Sequence, residues 1–467
     1  MSLPIVFLPE RCLRSFVALA SATSLLGMVG CASAPPDSMP KTSTVQAPKK
    51  WSGSSAEAGT LVESDWWKAF DSRELDALIE AALESNRDLQ VLAARLAQAR
   101  LLVDGAQAER RPQLGAVAGA QRGRDSSADP KTERSVAGFR ASWEVDLFGK
   151  GGLAVEAAAA DAQSVANALR AARIALTADV ANAYFELRTL NARAVLGRDS
   201  AQLASRQVMV AKRKFDAGQS SALDVDRWEA ELSQERASVT EIEGMMRIRQ
   251  QQLAVLLGSS EAPTLTLKDA ASVPAAPAPV MPTDLLERRP DVLRQARALD
   301  AALARVGVAR RDVYPSLRID WSGARERLAA TGGSASPVSV VGYGISLTLP
   351  LLDGGRIRSN IAVQEARAQE AMAEYEKAML LALADVEVAL AQWTTSGAAL
   401  QDWHRAQVSG EQAANRSERL FEAGVVDLGS VLDARRVHMR AQAAVIQAEG
   451  ANFAAAVALR RAFAGGV

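Results

Sequence analysis

The stretch RKFDAGQSSALDV at residues 213–225 returns, little changed, as RLFEAGVVDLGSV at 419–431. The step from Phe215 to Phe421 is 206 residues. Two other landmarks repeat at almost the same interval: Arg111-Pro112-Gln113-Leu114 against Tyr314-Pro315-Ser316-Leu317, a step of 203, and WEVDLF from 143 against LTLPLL from 347, a step of 204. A shared spacing at three places identifies a duplicated unit of roughly two hundred residues, so any fold must be assembled from two such units.

Each unit opens with helical periodicity and passes to alternation. DSRELDALIEAALESNRDLQVLAARLAQARLLVDGAQAERRP reads as one amphipathic helix ending at Pro112, with its counterpart from Asp284 to Pro315. Pro290 and Asp291 stand where a helix start favours them, proline in the first turn and an acid near the positive end of the dipole. From 136 to 147, Ala137, Phe139, Ala141, Trp143, Val145 and Leu147 alternate with Gly138, Arg140, Ser142, Glu144 and Asp146. The second unit sets Val341, Tyr343, Ile345, Leu347 and Leu349 against Gly342, Gly344, Ser346 and Thr348. Alternating stretches also start at Leu114 and at Leu317, where Leu317, Ile319 and Trp321 oppose Arg318, Asp320 and Ser322.

Four strands of about ten residues are thus expected, the length that crosses a bilayer in a tilted barrel. Taken singly, each strand fits a half-buried sheet in a soluble domain better than a membrane strand. Four cannot close a barrel, for which about eight is the working minimum, so a membrane reading requires several chains to donate strands. A cyclic homotrimer would supply twelve.

Between strands and turns, proline is absent from Gly152 to about Phe215, and Leu169, Leu176, Val180, Tyr184, Leu187 and Leu190 keep steps of three, four or seven. Arg356 to Phe421 matches it with Tyr375, Met379, Leu383, Val386, Leu390 and Trp393. At about 1.5 Å per residue such helices reach on the order of 95 Å. Return helices are expected at 222–257 and 428–463. Gly218 and Gly424 sit where a helix ends with positive φ; Ser221 with Asp224 forms a capping box, and Asp427 caps the second restart. Each unit is therefore a helical hairpin whose tip is the duplicated turn, at the end farthest from the strands.

Equal numbers of basic and acidic side chains, 54 each, give no electrostatic ground for a nucleic-acid partner. His404 and His438 have no cysteine or second histidine at ligand spacing and read as exposed helix residues; no GxSxG elbow or HExxH occurs. Neither a metal site nor a catalytic site is expected, and the chain does not read as an enzyme. Arg11 and Arg14 precede FVALASATSLLGMVG, right in length for a signal peptide and too short for a mature span. The run ends in GMVGC and resembles a bacterial lipobox with Gly30 before Cys31, although Met28 stands where leucine is usual. An ordinary signal sequence beside a chance cysteine is the alternative. Cys31 is the expected lipidation site, carrying diacylglycerol and N-acyl (palmitate) chains; Ala32 after it fits sorting to the outer membrane. Cys12, the other cysteine, lies in the segment to be removed.

WWKAFDSRELDALIEAALESNRDL, SWEVDLFGK, ERRPDVL, LPLLDGGRIRSNI and GVVDLGSVLDARR resemble, in order and over essentially the whole mature chain, the landmarks of TolC-like outer membrane factors, in their NodT or efflux-type lipoprotein branch. The resemblance implies a mainly α protein with a membrane β-barrel: a homotrimer whose four strands per chain close a twelve-stranded barrel and whose helices form a long coiled-coil tunnel in the periplasm. It divides the chain into a signal peptide (1–30), a lipidated linker (31–62), a first repeat (63–261), a connector near the tunnel girdle (262–282) and a second repeat (283–467).

In that family the tips narrow to an aperture and meet a periplasmic adaptor, which joins the tunnel to an inner-membrane pump, here expected to be of the RND type. Asp433 matches the aperture acid and Phe421 the tip aromatic; Phe215, Gly218 and Asp224 follow by internal symmetry. The aperture set is accordingly Asp433, Asp224 and Phe421, and the docking tips are Phe215, Gly218, Phe421 and Gly424. Asp433 also reads simply as an acid near a helix start. Gly429 stands where some members carry a plugging leucine and Leu420 where some carry a latch arginine, so neither device is expected. The resemblance implies a passive exit duct for drugs, dyes, solvents or metal ions. A duct for ABC-dependent type I protein secretion and a purely structural coiled-coil lipoprotein are the alternatives.

Overall fold

The computed structural model describes residues 45–52, 65–123, 132–267, 271–277, 281–330, 334 and 336–463. Cys31 and the linker, apart from residues 45–52, lie outside the described residues. After a short 3-10 turn, Trp66–Phe70, come helices α1 (Arg73–Ser85) and α2 (Arg87–Glu109), strands β1 (Gln113–Gly123) and β2 (Thr132–Val145), and helices α3 (Lys150–Asp216) and α4 (Ala222–Leu256). The order then repeats: α5 (Pro282–Leu286), α6 (Pro290–Arg311), β3 (Ser316–Ala330), β4 (Val338–Thr348), α7 (Arg356–Glu422) and α8 (Leu428–Phe463).

The long helices α3 and α7 have 67 residues each, within two residues of the bounds read from the proline-free runs. The opening helix is not continuous, however. It breaks at Asn86, whose ψ of 129° is extended, and the second unit breaks between α5 and α6 at the corresponding place. Asn86 accepts from the backbone N–H of Leu89 at 3.0 Å to start α2, and donates to the carbonyl of Leu256 at 2.9 Å. At the matching step, Arg289 donates to Asp291 and Asp385 at 2.6 and 3.0 Å and to the carbonyl of Ala382 at 3.2 Å. Apolar spacing on both sides of Asn86 is helical, which is why periodicity alone passes straight through the break.

The compact units do not follow the repeats. One unit draws the strands of both repeats together (residues 101–160 and 299–372), and the other draws on both hairpins (45–100, 161–298 and from 373 onward). In the first, a four-stranded antiparallel sheet runs in the order β1-β2-β3-β4. The β2·β3 seam joins the two repeats, and Gly138 lies on it: a Cβ there would fall 2.3 Å from the carbonyl oxygen of Gly323 and 2.4 Å from the Cα of Ala324. Both are backbone atoms that cannot yield, so the seam requires glycine. Asp146 accepts from the N–H groups of Gly151 and Gly152, and Asp353 from those of Gly355 and Ile357, so each strand pair hands over to its long helix through an aspartate.

The core of the second unit gathers Trp66, Trp67, Phe70, Leu75 and Ile79 around Tyr184, Phe185, Leu187 and Leu253. Over it passes the connector. Glu74 accepts from the backbone N–H groups of Thr266 and Leu267 at 2.6 and 3.0 Å, and Leu265, Leu267, Ala271 and Val273 pack on the cluster. Arg460 donates to the carbonyl of Ala275 at 2.9 Å. The connector is thus stitched to both repeats, by Glu74 of the first and Arg460 of the second, side chains roughly two hundred residues away, an arrangement no local pattern encodes.

Candidate functional site

Two surfaces carry the chemistry, one in each unit. On the sheet, register decides which side chains share a face. Val145, Leu317 and Leu347 form one rung; Trp143, Ile319 and Ile345 the next; then Leu114, Ala141, Trp321 and Tyr343; then Ala116, Phe139, Gly323 and Val341. This apolar face is bare. Leu114 is 71% exposed, Tyr343 89% and Ile345 75%. Contiguous exposed apolar surface along four rungs fits hydrocarbon, with Trp143, Trp321 and Tyr343 within the band.

The opposite face holds Glu144 beside Arg318 at 3.8 Å, then Ser142 with Asp320 and Arg140 with Ser322, before valines mix in nearer the far end. β1 and β4, the outer strands, are each paired on one side only among the described residues. Exposed edges beside an exposed apolar face are a liability for a solitary chain. At 14 and 15 residues, β2 and β3 exceed the ten expected, and they carry the ion pair Arg134–Glu326 across the seam beyond the apolar rungs.

In the second unit the duplicated turns have the same backbone. Gly218 and Gly424 have φ of 71° and 70°. In the first turn the N–H of Gly218 bonds Phe215 O and that of Gln219 bonds Lys214 O; in the second, Gly424 bonds Phe421 O and Val425 bonds Leu420 O. These are Schellman closures in which glycine takes the left-handed position. The restarts differ. Ser221 caps α4 in a reciprocal box with Asp224, whose carboxylate accepts from the Ser221 N–H at 3.2 Å and the hydroxyl at 3.0 Å. In α8 Asp427 caps, accepting from the N–H and hydroxyl of Ser430 at 2.8 and 2.6 Å. The Ser430 hydroxyl, its N–H and the Arg227 cation hold the Asp427 carboxyl below the ordinary value.

Aligned on the turns, Asp224 corresponds to Ser430, and Asp433 corresponds to Arg227. Asp224 is therefore a capping acid and not the internal counterpart of Asp433, because serine and aspartate have exchanged places in the cap. Asp433 projects from the first turns of α8 with its side chain 77% exposed, 3.5 Å from Arg436.

Of the expected residues, Phe421 meets the other turn. Lys214, next to the exposed Phe215, lies over the Phe421 ring at 5.3 Å, so the two turns touch. Behind them Trp228, Val208, Ala211 and Leu432 form a buried cluster joining the hairpins. Arg435 pairs with Glu418 at 3.0 Å and lies over the Trp228 ring, while Arg436 reaches Glu231 at 3.9 Å. Trp228, Glu231, Arg435 and Arg436 escaped the sequence reading; the apolar spacing Val225, Trp228, Leu232 was the one available signal. His404 is exposed as expected, but His438 is half-buried, with an unpartnered Nδ1. Among the described residues no group of three or more His, Cys, Asp or Glu is placed to hold a metal ion.

The sequence profile of outer membrane efflux proteins matches residues 78–259 and 281–465. The chain belongs to that family. It is 30% identical over 471 residues to the pyoverdine export outer membrane protein OpmQ of Pseudomonas aeruginosa, covering 96% of each chain. It is 32% identical to the outer membrane protein OprJ of the same organism, over 89% of each. The solved outer-membrane channel OprN superposes with a TM-score of 0.82 at 30% identity, over 93% of this chain and 99% of the other. The protein is thus an outer-membrane efflux channel of TolC-like fold, mainly helical, with four antiparallel strands per chain.

Proposed function

We propose that three copies close the sheet, β4 of one against β1 of the next, into a twelve-stranded barrel, and that the hairpins line a periplasmic tunnel. The observation that carries this reading is the sheet itself: an exposed apolar face flanked by two edges unpaired among the described residues, which four strands cannot resolve alone. The helix Arg356–Glu422 adds a second uncovered surface, since its most apolar stretch is largely unburied within the chain.

The assembly acts as the passive outer-membrane duct of a tripartite efflux system. A periplasmic adaptor docks on the turns at Phe215, Gly218, Phe421 and Gly424, and an RND-type inner-membrane pump supplies the energy. Asp433, exposed and, among the described residues, paired with Arg436, contributes a ring of carboxylates at the aperture that attracts cations and helps hold the constriction closed. Cys31 is acylated and anchors the N-terminus.

Planar-bilayer recording of the purified protein tests the duct. Discrete conductance steps are expected, raised by Asp433→Ala; a protein that never conducts would remove the channel reading, and unchanged conductance in the variant would remove Asp433 from the aperture. Palmitate labelling that persists in Cys31→Ala would remove the anchor. Crosslinking in cells identifies the partners: an adaptor with a proton-driven pump is expected, and an ABC exporter would reassign the duct to secretion or ATP-driven export.

A further inference from the structure

Beyond its apolar rungs, the lipid-compatible face of the sheet changes character abruptly. The next rung holds Ala118, Ala137, Arg325 and Ser339, the one after it Ala120, Ser135 and Arg327, and the last Arg122, Glu133 and Ala329. These positions have the parity of Leu317, Ile319 and Trp321, so their side chains leave the sheet on the apolar side. Glu133 is held by Arg122 at 3.2 Å. Arg325 and Arg327 are exposed and, among the described residues, neither has a carboxylate in pairing distance. They stand two residues apart on one strand, about 7 Å.

Closure of the barrel supplies no missing counter-ion from a strand. β1, which a neighbouring copy would bring beside β4, reads QLGAVAGAQRG, and β4 reads VSVVGYGISLT; neither contains an acid. A hollow of about 300 Å³ opens here, lined among others by Ala120, Arg122, Glu133, Ser135 and Arg327. Arginines at the rim of a hydrocarbon-facing band lie at headgroup depth, and paired guanidiniums match phosphate oxygens in geometry and charge.

We propose that Arg325 and Arg327 form a binding site for the phosphorylated headgroup of a membrane lipid, with its acyl chains along the apolar rungs below. The leaflet follows from topology and rests on the proposed orientation. The charged rungs lie at the end of the sheet away from the strand-to-helix junctions, so helices in the periplasm put the site in the outer leaflet.

The probe is a bis-phosphorylated glycolipid in phosphatidylcholine vesicles, with retention on the purified channel read by native mass spectrometry. Wild-type protein is expected to retain the glycolipid in preference to phosphatidylcholine, and Arg325→Gln with Arg327→Gln to weaken retention about thirtyfold, with conductance unchanged. Arg325→Lys with Arg327→Lys should keep part of the binding, which separates loss of charge from loss of fold. Equal retention by the glutamine pair would overturn the site. So would an equal loss in Arg318→Gln on the opposite face, or displacement by millimolar free phosphate without glycolipid selectivity. Orientation is read separately, from whole-cell labelling of Arg327→Cys by a membrane-impermeant thiol reagent. Absence of labelling would overturn the outer-leaflet assignment and the orientation together, whereas glycolipid retention reports on the site alone.

Discussion

The two repeats solve the same pair of mechanical problems with different side chains. At the joint before the strands, the first repeat uses a neutral amide, Asn86, which caps α2 and ties back to Leu256. The second uses a cation, Arg289, gripped by Asp291 and Asp385. At the turns the backbone is the same, but the cap is Ser221 with Asp224 in one and Asp427 with Ser430 in the other. Duplication preserved the geometry of joint and turn and left the chemistry free to drift. The constraint is on where a helix stops, not on which group stops it.

The joints should differ most when broken. Arg289→Ala strands two carboxylates around a largely buried site and is expected to cost about 2–3 kcal/mol. That is less than a wholly buried pair because Asp291 and Asp385 remain 42% and 51% exposed. Asn86→Ala removes one cap and one carbonyl bond and should cost about 1–2 kcal/mol. Thermal melting of the purified channels, followed by circular dichroism, ranks the two; an Asn86 loss as large as that of Arg289 would mean the charge is incidental.

At the turns, Ser221→Ala should lose about 1 kcal/mol, a cost that varies little with pH between 5 and 8. Asp427 adds an acid dependence. Its carboxyl is held below the ordinary value of 3.8, so its contribution is complete above that value and drains away as pH falls through the lowered one. Replacing it with asparagine should flatten acid destabilisation of the second turn, seen by hydrogen exchange of the 424–431 amides; an unaltered acid profile would sink the cap assignment. Smallest of all is the exchange variant Ser221→Asp with Asp224→Ser, which writes the second cap into the first turn. It should alter stability by less than about 0.5 kcal/mol, and a larger loss would show that the surroundings, not the caps, distinguish the turns.

Much of this was legible in the sequence. The step of about 205 residues, the ends of the long helices, the glycine turns and both caps are local patterns, read from proline, glycine and capping residues. The faces of the strands followed from parity. The break at Asn86 was not legible, because asparagine interrupts no apolar stripe. Nor was the grip of Glu74 on the connector, or the packing of Trp228 between the hairpins, since each joins residues far apart in the chain. Asp224 misled symmetry for a related reason: the cap pair was conserved as a unit while its members traded places.

The β2·β3 seam has a consequence for the order of folding. β1·β2 and β3·β4 are local pairs that close over short loops, whereas Gly138 and Ala324 come together from roughly 180 residues apart, across four helices and a connector. The seam cannot zip until the second repeat has emerged. Until it does, two separate hairpins carry four raw edges, and the seam that cannot spare Gly138 removes two of them.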